Sequence, residues 1–218
     1  MSRIMLWSLI FSLGALLLLP VQTPGQTGKT IQLPSPRMEA GRPLMQALKD
    51  RKSTRAFTRE QLPLQTLSDM LWAAFGINRP ETGGRTAPSA LNRQEIDVYV
   101  ATSDGIYLYD PKAHVLNVVV PGDHRRVTGR QSFVEDAPIN LIYVADYSKM
   151  TGSPQEEKDL YAAADTGFIS QNVYLFCASE GLATVVRGSI DRPALTRVMK
   201  LRPHQKIILA QTVGYPTK

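Results

Sequence analysis

Three stretches of the chain carry more hydrogen-bonding chemistry than a chain reversal requires. RKSTRAF, residues 51–57, surrounds the hydroxyls of Ser53 and Thr54 with Arg51, Lys52 and Arg55. In an extended segment Arg51, Ser53 and Arg55 point the same way, which makes a cradle for a phosphate; a solvated basic face would read alike. GGRTAPSALNRQ, residues 83–94, sets Asn92 and Gln94 in a loop rich in glycine, proline and hydroxyls. Each of those amides both donates and accepts, which suits a heterocycle with alternating carbonyl and N–H groups. EGLATVVRG, residues 180–188, closes a helix and continues in small residues, so a flat ligand can approach the backbone N–H groups.

Other chemistry is absent from the pattern. His114, His124 and His204 stand apart from one another and from the single Cys177, so no metal site is expected. There is no Walker loop, GxGxxG or G-x-S-x-G, and no Ser-His-Asp set can be assembled from scattered partners. Cys177 lies in an apolar helical segment, where a buried structural thiol is the expected reading. One cysteine allows no intrachain disulfide.

Hydrophobic spacing supplies the frame that must position these segments. Leu44, Met45 and Leu48 predict a short helix ending near Arg51. Leu64, Leu67, Leu71, Ala74 and Phe75 predict a second, closing at Gly76. Ile96 to Val100 and Gly105 to Asp110 alternate, and Val115 to Val120 is nearly continuous in apolar residues. The short links SDG and DPKA make these three strands an antiparallel meander, with Asn140 to Ala145 as a further strand. Residues 154–180 read as one long helix, with Ser153 as N-cap, Pro154 in first position and Gly181 as C-cap. Its middle, YAAADTGF, admits close approach of another backbone, as a central core helix or as a dimer seam. Asp191 caps a helix over 191–200, and Lys206 to Val213 is the last strand. The order indicates an α+β fold rather than a doubly wound sheet.

With 218 residues, 43% hydrophobic and 20% charged, the chain suits one domain with a sizeable core. A net charge of +6 suits an anionic ligand or membrane surface and is too mild to indicate nucleic acid. Arg3 precedes an apolar run, Ile4 to Leu19, that ends at Pro20. That run is shorter than the roughly 20 apolar residues of a span, and residues 1–26 are expected to be a signal peptide or N-terminal anchor. The protein is expected to be exported, periplasmic or anchored at the outer face of the inner membrane. Residues 22–43 are rich in Pro, Gly, Thr and Gln, and 27–43 read as a linker to a domain over 44–218.

The ordered set R-x-S-T-R-x-F, P-S-x-x-N-x-Q, a long helix ending in G-L-A-T and a terminal V-G-Y-P resembles the nitroreductase family of FMN-dependent oxidoreductases. RTAPSALNRQEIDVYVA and the segment from YAAADTGF to VVRG look closest to its SagB-type, thiazole/oxazole-dehydrogenase-like branch. The resemblance implies a three-layer fold, a central, mostly antiparallel sheet flanked by helices, and a homodimer with two FMN at its interface, each touched by both subunits. Arg51, Lys52 and Ser53 would hold the FMN phosphate, and Arg55 would lie near the pyrimidine edge. Pro88, Ser89 and Ala90 would line the ring, with Asn92 and Gln94 on its polar edge. Backbone amides around Gly181, Leu182 and Ala183 would reach the N5 and O4 side. Lys218 is the remaining basic candidate at the C-terminus, with Arg187 and Arg85 as alternatives. Where many relatives have Q-P-W, this chain has Gln94, Glu95 and Ile96. The expected activity is two-electron transfer from NAD(P)H or another donor to a nitroaromatic, quinone or similar small acceptor, and no catalytic side chain is required. Azoline dehydrogenation on a modified peptide, with Lys158 and Tyr161 as helpers, and flavin binding without catalysis are the rival readings.

Overall fold

The computed structural model describes residues 30–217; the expected signal segment and Lys218 lie outside the described residues. In chain order its elements are β1 (Ile31–Gln32), α1 (Leu44–Asp50), α2 (Leu64–Phe75), β2 (Ile77–Arg79), β3 (Gly84–Arg85), β4 (Ile96–Ala101), β5 (Gly105–Asp110), β6 (Val115–Pro121), β7 (Ile139–Asp146), α3 (Gln155–Glu180), β8 (Ala183–Arg187), α4 (Arg192–Met199) and β9 (Gln205–Gly214). Short 3₁₀ turns fill several of the connections.

Seven strands form one sheet in the order β1-β6-β5-β4-β7-β9-β8, and every neighbouring pair is antiparallel. The meander expected from the SDG and DPKA links is β4, β5 and β6, with Tyr99 opposite Leu108 and Tyr109 opposite Leu116. All eight residues of β7 are buried, as a strand covered on both faces requires. Its alternation divides the interior. Leu141, Tyr143 and Ala145 join a core with Met70, Leu71, Ile169 and Val173 of α2 and α3. Ile142 and Val144 face the other way, against Leu195 and Met199 of α4. The result is the expected three-layer α+β arrangement, with α1, α2 and α3 on one side of the sheet and α4 on the other.

The helix ends follow their capping chemistry. Gly181 takes the left-handed conformation (φ 71°) that ends α3, and Asp191 accepts from Ala194 N–H at 3.0 Å to start α4. The long helix begins one residue later than Pro154, and Ser153 donates its hydroxyl to Glu157 instead of capping. Two segments differ from their sequence reading. ATVVR after Gly181 is an edge strand, β8, paired along β9. Residues 30–37, read as part of a linker, are tied to the body. Ile31 pairs opposite Leu116, Leu33 is buried, and Arg37 binds Asp69 of α2 through its backbone N–H (2.9 Å) and its guanidinium (2.7 Å). No helix among the described residues is long and apolar enough to cross a membrane.

Candidate functional site

A cleft of about 700 Å³ opens where α3 ends against β8. Lys49 and Asp50 of α1, Arg42, Lys52 and Thr54 form one wall; Tyr174, Cys177 and the turn Gly181 to Thr184 form the other, with Pro216 and Thr217 at the rim. The segment after α1 reaches this place because it continues the sheet edge: Thr54 N–H donates to Thr184 carbonyl (2.9 Å), Thr58 N–H to Tyr215 carbonyl (2.9 Å), and Phe57 bridges Pro216. That pairing turns Lys52 and Thr54 into the cleft. Arg51 and Ser53, expected there by their shared direction, meet Tyr174 instead. The Arg51 guanidinium lies 5.4 Å from the ring centroid, and Ser53 Oγ is 2.8 Å from Tyr174 Oη. Arg55 is exposed and absent from the cleft lining.

Electrostatically the cleft is built for an anion. Lys49, Lys52 and Arg42 line it against one carboxylate, Asp50, and Asp50 is already engaged. The Gln46 amide, at 2.8 Å, and then Arg42, at 3.2 Å, hold the Asp50 carboxyl below its ordinary value. The helix terminus is less open than expected. Gly181 and Leu182 N–H both donate to Cys177 carbonyl, so these amides close α3 and are not free for a ligand. Cys177 is fully buried, and burial pushes its thiol up, so it is a neutral packing group.

The loop 88–94 lies elsewhere. Ala90 N–H donates to Asp165 Oδ2 (3.0 Å), which fixes the loop against the middle of α3. From residue 165 to 181 the helix rises about 24 Å, so within this chain the loop stands away from the cleft. Gln94 is consumed within it: its carbonyl accepts from Arg85 Nε (2.8 Å), and its amide donates to Gly83 carbonyl (3.0 Å) and Asn92 Oδ1 (2.9 Å). Arg85 thereby becomes a brace, also donating to Phe75 carbonyl (3.1 Å) and stacking 5.0 Å from the Phe75 ring. Leu91, Asn92 and Gln94 all have left-handed φ values (53°, 53° and 50°), and Leu91 is 79% exposed. Pro88 and Asn92 remain exposed, while Ser89 and Ala90 are half-buried.

Arg187 is also removed from the cleft. It is 4% exposed within β8 and donates to Thr212 Oγ1 (2.8 Å), Thr128 carbonyl (2.9 Å) and Asn140 Oδ1 (2.9 Å). No carboxylate faces it, and burial pushes its guanidinium down to about 10. Gly129 leaves room for it, since a Cβ there would stand 1.8 Å from Arg187 Nη1. No group of three or more His, Cys, Asp or Glu among the described residues is placed to hold a metal ion. Sequence reasoning missed Tyr174, Lys49 and Arg42. The first has a readable signal, a phenol seven residues before the helix-closing glycine in an otherwise apolar run; the two cations become partners only through the turn around α1.

Fold and site together define an α+β protein with a cationic cleft where a central helix meets a sheet edge. The chain belongs to the nitroreductase family: the family's profile matches residues 48–215. A nitroreductase-type protein of Methanocaldococcus jannaschii is 30% identical over 192 residues, 84% of this chain and 96% of that protein. A nitroreductase-type protein of Ralstonia eutropha, of known crystal structure, is 44% identical with a TM-score of 0.84, covering 89% of this chain and 92% of that one. The NADPH:FMN oxidoreductase of Vibrio harveyi, complexed with NAD+, shares the fold at 19% identity and a TM-score of 0.60, over 80% and 69% of the two chains.

Proposed function

We propose that this chain is an FMN-dependent oxidoreductase that takes electrons from NAD(P)H or another donor and passes them to a nitroaromatic, quinone or similar small acceptor. The observation that carries the reading is the cleft at the end of α3. Its volume suits a mononucleotide cofactor, its cations suit a phosphate dianion, and Leu182, Ala183 and Thr184 add mostly small, uncharged lining that a flat ring could approach. Lys52, Lys49 and Arg42 would hold the phosphate, with Tyr174 fixing Ser53 and carrying Arg51 beside it. When bound, the flavin supplies two-electron transfer through its N5, so the protein is asked for binding, orientation and exclusion of water. That division fits a site with no nucleophile and no acid–base pair.

A second copy of the chain completes the site in this reading. α3 leaves Leu160 and Phe168 exposed (65% and 49%), with exposed Ala163, Ala164 and Gly167 between them, and α1 adds Leu44, Met45 and Leu48. Pairing along such a face would bring loop 88–94 of one copy to the cleft of the other. Function outside the cytoplasm remains part of the proposal and rests on residues 1–26.

The test is reduction and reoxidation of the FMN-loaded full chain without oxygen. NADPH or NADH is expected to bleach the flavin, and a nitroaromatic or quinone to restore its colour. Flavin that every nicotinamide donor leaves oxidised would reject that donor class. Oxidised flavin that NADH and NADPH leave unchanged but that a thiazoline peptide reduces, with a thiazole formed in the peptide, would favour azoline dehydrogenation.

A further inference from the structure

Two carboxyl groups lie buried beneath the loop 88–94, and neither pairs with a cation among the described residues. Glu95 is 0% exposed and Asp165, on α3, is 2% exposed. Neither forms an ion pair among the described residues: Arg93 approaches Glu157 at 3.5 Å with its buried Nη1 making no hydrogen bond, and Lys149 binds Asp97 (2.8 Å) and Gln94 carbonyl (3.1 Å). Both carboxyls instead run into the loop. Ser89 Oγ donates to Glu95 Oε2 (3.2 Å) and accepts from Gln94 N–H (2.8 Å), while Asp165 Oδ2 accepts from Ala90 N–H (3.0 Å). Glu95 Oε1 has no hydrogen-bond partner, and the Asp165 carboxyl stands beside it.

Two ionised carboxylates in a dry place without a cation repel each other and are poorly solvated. One proton between them removes a charge and supplies a donor for the bare contact. It falls to Glu95, whose Oε1 has no other partner, while Asp165 Oδ2 accepts from Ala90 N–H. We propose that Glu95 carries a proton shared with Asp165, and that the pair is a positioning latch holding residues 88–94 in their left-handed path. Burial first, and then the Asp165 carboxylate through its charge and hydrogen bonding, pushes the Glu95 carboxyl up. The other ionisable group near Glu95 is Tyr147, which burial and Asp159 push up, so it brings no positive charge.

The backbone explains why a latch is needed. Leu91, Asn92 and Gln94 sit in a region that L side chains enter at a cost in free energy. The two carboxyls grip the segment at its ends, at Ala90 just before Leu91 through Asp165 and at Gln94 itself through Ser89. Ionising both would push them apart, free Ser89 and Ala90, and let the loop relax. That the held conformation serves a flavin rests on the functional reading above; the latch itself does not.

The experiment uses the full chain without added flavin. Infrared spectra at neutral pH should contain the carbonyl stretch of a buried, protonated carboxylic acid, and Glu95→Gln should remove it. Hydrogen exchange at the Ala90 and Gln94 amides should accelerate in the wild type as pH is raised past the pair's titration. Glu95→Gln, which keeps an N–H donor, should show only the ordinary pH dependence, and Glu95→Leu should exchange fast throughout. Absence of the acid band, a band unchanged in Glu95→Gln, or superimposable exchange profiles in wild type and Glu95→Gln would each overturn the latch. Should Glu95→Leu fail to fold, the Glu95→Gln comparison decides alone. In an FMN titration of the same proteins, Glu95→Gln is expected to keep wild-type affinity and Glu95→Leu to lose about tenfold or more. A wild-type chain that binds no FMN yet shows the band and its loss would sink the flavin reading and leave the latch standing.

Discussion

At the scale of single residues, Tyr174 ties the cleft together. Its hydroxyl meets Ser53 Oγ on one side and accepts Val186 N–H (2.9 Å) from the free edge of β8 on the other. Its ring carries the Arg51 guanidinium. Tyr174→Phe keeps the ring and removes the hydroxyl. The expected cost is about 1–2 kcal/mol in unfolding free energy, as for a lost hydrogen bond that leaves a backbone donor unpaired. FMN affinity should fall with it because Ser53 is released. Chemical denaturation and a flavin titration check the two together; full stability with unchanged affinity would remove Tyr174 from the site. This residue also marks a limit of reading the sequence. RKSTRAF is visibly an anion-binding segment, but which of its residues turn inward depends on Thr54 pairing with Thr184, a contact 130 positions away along the chain. Gln94 shows the same limit: as a residue type it suits a heterocycle, whereas its neighbours Arg85, Gly83 and Asn92 use every group it has.

At the scale of elements, the helices and the meander were legible because local chemistry declares them: apolar spacing in α2, a left-handed glycine after α3, an aspartate before α4, short polar links between β4, β5 and β6. β8 was hidden, since five mostly apolar residues between two helices carry no alternation that separates strand from helix end. The packing of residues 30–37 was hidden too, because polar, proline-rich composition resembles a linker whatever it touches. The clamp on that segment is specific. His114 presents Nε2 to Ser68 Oγ (2.7 Å) and Pro34 carbonyl (3.1 Å), and Tyr109 Oη meets its Nδ1 at 3.0 Å, which suits the neutral Nε2–H tautomer. Burial pushes the imidazole down from its ordinary 6.5, opposed by Pro34 and Asp69. The unfolded chain therefore takes up the proton first as pH falls, so stability rises with pH across this window and is lost below about 6.5. Thermal midpoints at pH 7 and pH 5 should drop less in His114→Asn than in the wild type. An identical drop would mean that the clamp does not titrate. Asparagine suits the left-handed φ of 54° at this position.

At the scale of the whole molecule, the two halves of the expected flavin site lie about 24 Å apart along α3, by its rise per residue, and the proposed pairing with a second copy would unite them. The exposed faces of α3 and α1 are suited to that pairing. Phe168→Asp together with Leu160→Asp places charge on that seam and should shift the chain from dimer to monomer in sedimentation while leaving far-ultraviolet circular dichroism unchanged. A dimer that persists in this variant would move the interface to another face. Affinity for FMN should fall as the dimer is lost, since each cleft would lose the loop of the other copy.

The central claim is that the cleft between α1 and the end of α3 holds FMN. The direct measurement is a fluorescence titration of FMN with the full chain and with Lys49→Glu/Lys52→Glu, which reverses the charge of the wall without touching the core. The account predicts one FMN per protomer for the wild type and a loss of about a hundredfold or more in the variant, because each lost charge-assisted contact is worth about 1.5–3 kcal/mol. A wild-type chain that binds no FMN, or a variant that binds it equally well, would contradict it.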